Sequence, residues 1–404
     1  MKHKTIVLAV CLLLAGCGVK PYDNDNRYAV IISIDALRWD LPSECHTPTL
    51  DSLRAAGTYC ETFPVFPANT FPSHYSMATG LHPDHHGIVN NRFHLRDMDR
   101  TVLSWNPDDI TLPGFWGGEP IWNTAERQGR IAHTYLWAGS QTPINGRQAT
   151  RWIPYRFDAS HRERMDWVLE SLRGEHGKVP NLTMVYVEQL DATMHRYGSN
   201  APETLAELES IDEALGYFFR EVRKLPVFDS LNIIVTSDHG TADTSPERYV
   251  NFYGKLDSTR VVRFIRGIPC SIEVDDDYVA EAVGILNSLG HMTAYARDEM
   301  PARYSYGSNT NRISNIVIIP ETGWYADYSP VDSPYPDIGA HGFDNFDRNM
   351  HMVFYGAGPA FRKGYVQPSF QNQNVYIVLC HLLGIEPADA NDCSWEDVRQ
   401  MFRK

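Results

Sequence analysis

The stretch Tyr28-Ala29-Val30-Ile31-Ile32-Ser33-Ile34-Asp35 decides the architecture of this chain. An unbroken apolar run that ends in a carboxylate predicts a strand buried on both faces, as in a parallel sheet. Comparable runs recur at Leu182–Val187, Asn232–Thr236 and His351–Tyr355. Helical periodicity lies between them. Leu205, Leu208, Ile211, Leu215, Phe218 and Val222 keep a spacing of three to four, which predicts an amphipathic helix over Ala201–Lys224. Buried strands alternating with such helices predict an α/β fold, a mostly parallel sheet between helices. Residues 246–334 read differently: the strands look short and the polar stretch Tyr304–Arg312 interrupts the pattern. They are expected to form a smaller inserted cap region. The α/β core then comprises 27–245 and 335–404.

The 404 residues exceed what one small core needs, and 43% hydrophobic with 21% charged residues excludes a mostly disordered or collagen-like chain. Thirty-six basic against 50 acidic residues give a net charge of −14. Such a surface repels a phosphate backbone, so no nucleic-acid polymer is expected as a partner. A small anionic substrate stays compatible where a local cation offsets the field.

The N-terminus carries a targeting pattern. Lys2 and Lys4 precede the apolar run Ile6–Leu14, and Leu14-Ala15-Gly16-Cys17 follows. The run is too short for a transmembrane helix. Small residues before a cysteine resemble a bacterial lipoprotein signal over 1–17, with 18–26 as a polar tether. The expectation is an exported protein, lipid-anchored through Cys17 to a bacterial membrane and facing the periplasm or cell surface; an ordinary cleaved signal peptide is the alternative. An exported protein can hold disulfides, and Cys380 and Cys393 lie 13 positions apart, so this pair is a candidate bridge.

Chemistry gathers where strands end, because open α/β sheets bind ligands beyond the carboxyl ends of their strands. The first strand ends at Asp35. Leu182–Val187 is followed by Asp191 and His195, four apart and therefore on one helical face. Asn232–Thr236 is followed by Asp238-His239, and a late loop carries His341. One aspartate after a strand is ordinarily a cap or turn residue. Four such sites at the edge of one sheet point instead to a metal centre. Imidazoles with carboxylates favour Zn²⁺, and Mn²⁺ also fits.

Two further stretches matter. In Asn69-Thr70-Phe71-Pro72-Ser73-His74-Tyr75, Thr70 falls at the expected start of a short helix. A hydroxyl there meets free backbone N–H groups and the positive end of the helix dipole; the plain alternative is an N-cap. In Gly80-Leu81-His82-Pro83-Asp84-His85-His86, the three histidines read as structural or surface residues rather than ligands.

Taken together these stretches resemble the nucleotide pyrophosphatase/phosphodiesterase family of the alkaline phosphatase superfamily. The resemblance rests on Ser33–Asp35, Asn69–Tyr75, Thr79–Pro83, His86–Asn91, Asp191–His195, Thr236–Gly240 and His341–Asn345, in that order, and runs from about Tyr28 to Pro387. It implies an alkaline-phosphatase-like core and two zinc ions. Asp191, His195 and His341 would hold one; Asp35, Asp238 and His239 would hold the other, with Thr70 as ligand and nucleophile. It also implies that Asn91 donates to a phosphoryl oxygen and that Phe71 and Phe157 contact the leaving group or base. The implied activity is hydrolysis of phosphodiester or phosphoanhydride bonds, with a small phosphodiester or nucleotide as substrate, through a covalent threonine intermediate. Ser73, Asn69 and Phe157 depart from residues frequent in the family, and these departures bear on substrate choice rather than on the metal ligands.

The alternatives are a phosphomonoesterase or a phospholipid-headgroup phosphodiesterase of the same superfamily, or a non-catalytic binding lipoprotein. A sulfatase requires an arginine that Thr70-Phe71-Pro72-Ser73 lacks. A monoesterase requires an extra cation for its dianionic substrate, and the sequence alone offers no obvious one.

Overall fold

A computed structural model describes residues 27–332 and 337–403. The expected signal, tether and Cys17 lie outside the described residues. The main sheet has eight strands: β1 (Tyr28–Ile34), β2 (Thr58–Thr62), β3 (Ala132–Tyr135), β4 (Arg151–Ile153), β5 (Leu182–Val187), β6 (Leu231–Thr236), β7 (Met352–Ala357) and β8 (Tyr365–Val366). Their spatial order is β8-β2-β7-β6-β1-β5-β3-β4. β1 runs parallel to β5 and β6, and β3 parallel to β4 and β5. β7 is antiparallel to both its neighbours.

β1 sits at the centre because every one of its side chains is buried. Ala29 and Ile31 join one core, with the helices Thr70–Thr79 and Val375–Leu383. Tyr28, Val30, Ile32 and Ile34 join the other, with His161–Arg173 and Pro202–Val222. The alternation of a strand explains the unbroken apolar run: a sheet covered on both faces has no polar side to show.

Register brings the site together. Ile34 lies opposite Val187 of β5, and Ser33 opposite Thr236 of β6. The three central strands therefore end at one level, and their next residues enter the same space.

Two expectations change here. The run at His351–Tyr355 is a buried strand, but an antiparallel one, so His341 lies before the start of β7 rather than beyond a strand's end. The loop still reaches the site, because an antiparallel strand begins at the edge where its neighbours finish. The Cys380–Cys393 bridge is absent: all five described cysteines are free. Cys380 is buried in its helix, whereas the Cys393 thiol is turned toward Gln373 O at 3.4 Å and Gly80 O at 3.7 Å. Sequence separation carries no information on where the thiols point.

Within 246–334, strands Val261–Ile265, Cys270–Val274, Ile316–Pro320 and Met292–Ala296 form an antiparallel sheet in that order. With the helix Val279–Asn287 it encloses a core of its own, including Ile272, Leu286 and Ile318. The polar stretch after it is ordered by one carboxylate: Asp84 accepts from the backbone N–H groups of Ser308 and Asn309, both at 2.8 Å. Among the described residues no helix is long and apolar enough to cross a membrane.

Ile31 is fully buried in the central strand. Ile31→Ala is expected to cost about 2–5 kcal/mol of unfolding free energy, through lost burial plus a residual cavity. Chemical denaturation measures it, and a loss under about 1 kcal/mol would contradict this placement.

Candidate active site

Asp35 follows β1, Asp238 and His239 follow β6, and Asp191 and His195 lie on the helix Gln189–Tyr197 just after β5. His341 comes in from the loop before β7. The chain folds tightly enough here that Gly342 cannot carry a side chain: a Cβ would lie 1.9 Å from Ile268 O, and its φ is +93°.

His239 Nε2 is the meeting point. It lies 3.3 Å from Thr70 Oγ1, 3.2 Å from Asp238 Oδ2 and 3.4 Å from Asp35 Oδ1. The His341 ring stacks on it, centroids 3.8 Å apart, and His341 Nε2 is 3.8 Å from Asp191 Oδ1. His195 Nε2 is 3.4 Å from Asp191 Oδ2. All seven expected ligand residues thus converge.

The other ring nitrogen of each histidine is tethered. His239 Nδ1 donates to Gly240 O and His341 Nδ1 to Ala68 O, both at 3.1 Å. His195 Nδ1 faces the Asp337 carboxylate at 3.4 Å. A carbonyl only accepts, so for His239 and His341 the proton is on Nδ1 and the Nε2 lone pair points inward, the arrangement of a metal-bound imidazole. The facing oxygens, Asp35 Oδ1, Asp191 Oδ1 and Asp238 Oδ2, are buried without a hydrogen-bond partner. Lone pairs aimed at lone pairs in a buried space fit a cation between them. Ligand atoms of Asp191, His239 and His341 lie within 4.8 Å of one another, as do those of Asp35, Asp238 and His239. The donor set therefore fits two divalent metal ions.

Burial and crowding shift these groups in both directions. Burial, with the Asp238 and Asp191 charges, pushes the Asp35 carboxyl well above its ordinary range. Burial also raises Asp191. Burial works the same way on Asp238, yet His239 and His74 hold it well below the usual carboxylate range. Burial and the neighbouring His239 and His195 keep His341 neutral, as a ligand must be. For His195, burial is outweighed by Asp191 and Asp337, which lift it to about 9.

Thr70 opens the helix Thr70–Thr79, but the N-cap is Asn69. The expected set of free N–H groups is narrower than the sequence suggests. Pro72 has none, Ser73 N–H bonds Asn69 O, and Phe71 N–H donates to Asn91 Oδ1 at 3.1 Å. That last bond fixes the Asn91 amide with its NH₂ as the free donor.

A cavity of about 290 Å³ opens from Thr70 and Asp35, lined by Phe71, Trp105, Tyr155 and Phe157. Phe71 and Trp105 lie 6.3 Å apart between ring centroids, and Phe157 is 62% exposed. On the side of His195 and His341 a second hollow holds Asn91, Arg92 and Arg266. This supplies the cations that sequence reading did not find.

Five contributors escaped the sequence. His74 Nδ1 sits 2.9 Å from Thr70 O and 3.3 Å from Asp238 Oδ2. Tyr186 OH donates to Asp35 Oδ2 at 2.5 Å. Asp337 backs His195, while Trp105 and Tyr155 line the cavity. Tyr186 was open to inference, since a tyrosine late in a buried strand needs a partner for its hydroxyl. Trp105 was not, since it depends on the hairpin Arg92–Leu95/Arg100–Leu103 folding back. Of the three excluded histidines, His86 is buried and bonded to Ser76 Oγ at 2.9 Å. His82 and His85 meet at Asp392, outside this site.

Fold and site together define a hydrolase of the alkaline phosphatase superfamily. Residues 29–344 match the family "Type I phosphodiesterase / nucleotide pyrophosphatase". The chain belongs to that family, whose members hydrolyse phosphodiester and pyrophosphate bonds. It is 31% identical to an uncharacterized pyrophosphatase/phosphodiesterase of Schizosaccharomyces pombe, over 93% of this chain and 80% of that protein. It is 30% identical to human ectonucleotide pyrophosphatase/phosphodiesterase family member 5, over 97% and 81%. The match to human family member 1, at 31% identity, spans 38% of that longer protein. The solved murine family member 5 superposes with a TM-score of 0.86 at 28% identity, covering 93% of this chain and all of that one. A further murine structure, at 0.86 and 27%, is an inactive threonine-to-alanine variant in complex with AMP.

Tyr186→Phe keeps the ring and removes the bond that orients Asp35. It is expected to lower metal affinity or turnover about 10- to 100-fold without unfolding the protein. Metal titration with steady-state kinetics measures this, and wild-type values for both would remove Tyr186 from the site.

Proposed function

We propose that the chain is a two-zinc phosphodiesterase and nucleotide pyrophosphatase in which Thr70 is the nucleophile. One observation carries the reading: the Thr70 hydroxyl stands 3.3 Å from His239 Nε2, where inward lone pairs and orphaned carboxylate oxygens converge, and faces an aromatic cavity. Asp191, His195 and His341 would hold one ion; Asp35, Asp238 and His239, with Thr70, the other. Such a pair supplies the positive charge that acidifies a hydroxyl and offsets charge on a departing oxygen.

The chain's own groups do the rest. Thr70 Oγ1 passes its proton to solvent and bonds phosphorus while the bond to the leaving oxygen breaks; that oxygen departs and takes up a proton from water, and the nucleotidyl group stays esterified to Thr70 as a phosphodiester. Water then hydrolyses that ester and restores Thr70. The Asn91 NH₂, held by its bond to Phe71 N–H, donates to a non-bridging oxygen. His74 and Tyr186 hold Asp238 and Asp35 in place.

Phe71, with Trp105, Tyr155 and Phe157, suits a nucleobase by stacking, and the AMP bound by the murine relative supports a nucleotide. Arg92 and Arg266 line the neighbouring hollow beside His195 and His341, with Arg266 held by Tyr325 and Asp327, where a phosphoanhydride's charged leaving group would need cations. No arginine or lysine lines the aromatic cavity.

Thr70→Ala is expected to lose at least about 10³-fold in turnover, as loss of a covalent nucleophile does. Asp238→Asn is expected to lower the metal content found by elemental analysis. Near-normal turnover in Thr70→Ala would end the covalent mechanism.

Phe71→Ala is expected to raise KM for nucleotide substrates more than for a small p-nitrophenyl diester, since base stacking contributes roughly 1–3 kcal/mol. Equal effects on both would remove the base from this cavity.

A further inference from the structure

The chain carries a second cluster of metal-ligating side chains, far from Thr70. It lies where Gly80-Leu81-His82-Pro83-Asp84-His85 meets residues 391–393. Asp392 Oδ2 is the centre: His82 Nδ1 lies 3.1 Å away and His85 Nδ1 2.7 Å, and the His82 backbone N–H donates to it at 2.8 Å. The three ligand atoms of His82, His85 and Asp392 lie within 4.8 Å of one another.

A second contact fixes the proton on His82. Gln371 Nε2 donates to Pro64 O at 3.2 Å, so the amide must present Oε1 on its other side. That oxygen faces His82 Nε2 at 3.1 Å and can only accept. Nε2 therefore carries the proton, and a neutral His82 aims its Nδ1 lone pair at a carboxylate oxygen. Two lone pairs 3.1 Å apart repel unless a cation lies between them. The same arrangement, a histidine oriented through its outer nitrogen by an amide or carbonyl oxygen, marks metal-bound imidazoles.

The remaining choice is between a second proton and a metal ion. The geometry points to a metal: we infer that His82 Nδ1, His85 Nδ1 and Asp392 Oδ2 form a third metal site, for a zinc-like divalent ion. Ligand atoms about 2.0–2.1 Å from a tetrahedral zinc stand roughly 3.3 Å apart, so the 3.1 Å and 2.7 Å spacings to Asp392 Oδ2 need to open by about 0.2 and 0.6 Å. Two imidazoles and one carboxylate select Zn²⁺, Co²⁺ or Ni²⁺ over Ca²⁺ or Mg²⁺, which take oxygen ligands. The His85 side chain is 52% exposed, so water has access to complete the shell.

The site is a staple rather than a centre of reaction. Gly80 ends the helix that begins at Thr70, and Asp392 N–H donates to Gly80 O at 2.7 Å. Thr70 stands a full helix away, roughly 15 Å at the rise of an α-helix. An ion here ties the far end of the nucleophile's helix to the C-terminal segment.

The test is a count. Wild type, His85→Ala and Asp392→Asn are saturated with Zn²⁺, freed of excess by gel filtration, and analysed for zinc per folded chain, with melting temperature in parallel. The expected result is one ion fewer in each variant than in wild type, a smaller zinc-dependent rise in Tm, and unchanged turnover of a p-nitrophenyl diester. His85→Ala decides the matter if Asp392→Asn folds poorly, because His85 is exposed. Equal zinc in wild type and His85→Ala overturns the inference, whatever the occupancy at Thr70. So does an NMR signal from a protonated Nδ1 on His82 in the zinc-saturated protein, which would show a second proton in the ion's place.

Discussion

Asp35, Asp191 and Asp238 are brought into one buried space, and that is the constraint around which the rest of the structure is arranged. Two carboxylates held within 4.8 Å of each other, as in the Asp35–Asp238–His239 group, repel by at least roughly 3.5 kcal/mol at an effective dielectric near 20. The repulsion is larger in effect for groups that have also lost their water. The fold cannot avoid the encounter, because the central strands end at one level and each delivers an acid. It answers by placing nitrogen lone pairs and unpaired oxygens in the same volume, an arrangement that a divalent cation resolves.

Rigidity around that space comes from contacts made by the outer atoms of the same side chains. Asp238 Oδ1 accepts from Ala36 N–H at 3.1 Å while its Oδ2 faces inward. Tyr186 plays the corresponding part for Asp35, and backbone carbonyls do so for His239 and His341. Each inward atom is aimed because its partner on the same group is occupied. A ligand held in this way does not have to be ordered when the ion binds, which keeps the entropy cost of assembly low.

This division explains what the sequence disclosed. Residues that leave a strand or open a helix are legible, because their position follows from an element boundary; Asp35, Asp238, His239 and Thr70 are of this kind. The pair Asp191 and His195 is legible from helical spacing. Residues that hold them are not. His74 acts across the sheet on Asp238, Asp337 approaches from a loop, and Trp105 stands beside Phe71 only through a hairpin. The antiparallel sense of β7 was hidden because a fully buried strand looks the same in either direction. The proposed Cys380–Cys393 bridge failed for a related reason: spacing along the chain does not give the direction of a side chain.

The stretch 246–334 is joined to this centre through its backbone, which makes the coupling insensitive to side-chain identity. Ile268 O accepts from Asn69 Nδ2 at 2.8 Å, next to Thr70, and Pro269 O accepts from Asn90 Nδ2 at 3.2 Å, next to Asn91. The same Ile268 carbonyl presses on Gly342, beside His341. One turn of this stretch therefore touches the chain neighbours of Thr70, Asn91 and His341. Arg266 stands two residues before that contact, in the hollow next to His195 and His341. The peptide that contacts the neighbours of Thr70, Asn91 and His341 thus also places Arg266, so its side chains can vary while its carbonyls keep these three residues in register.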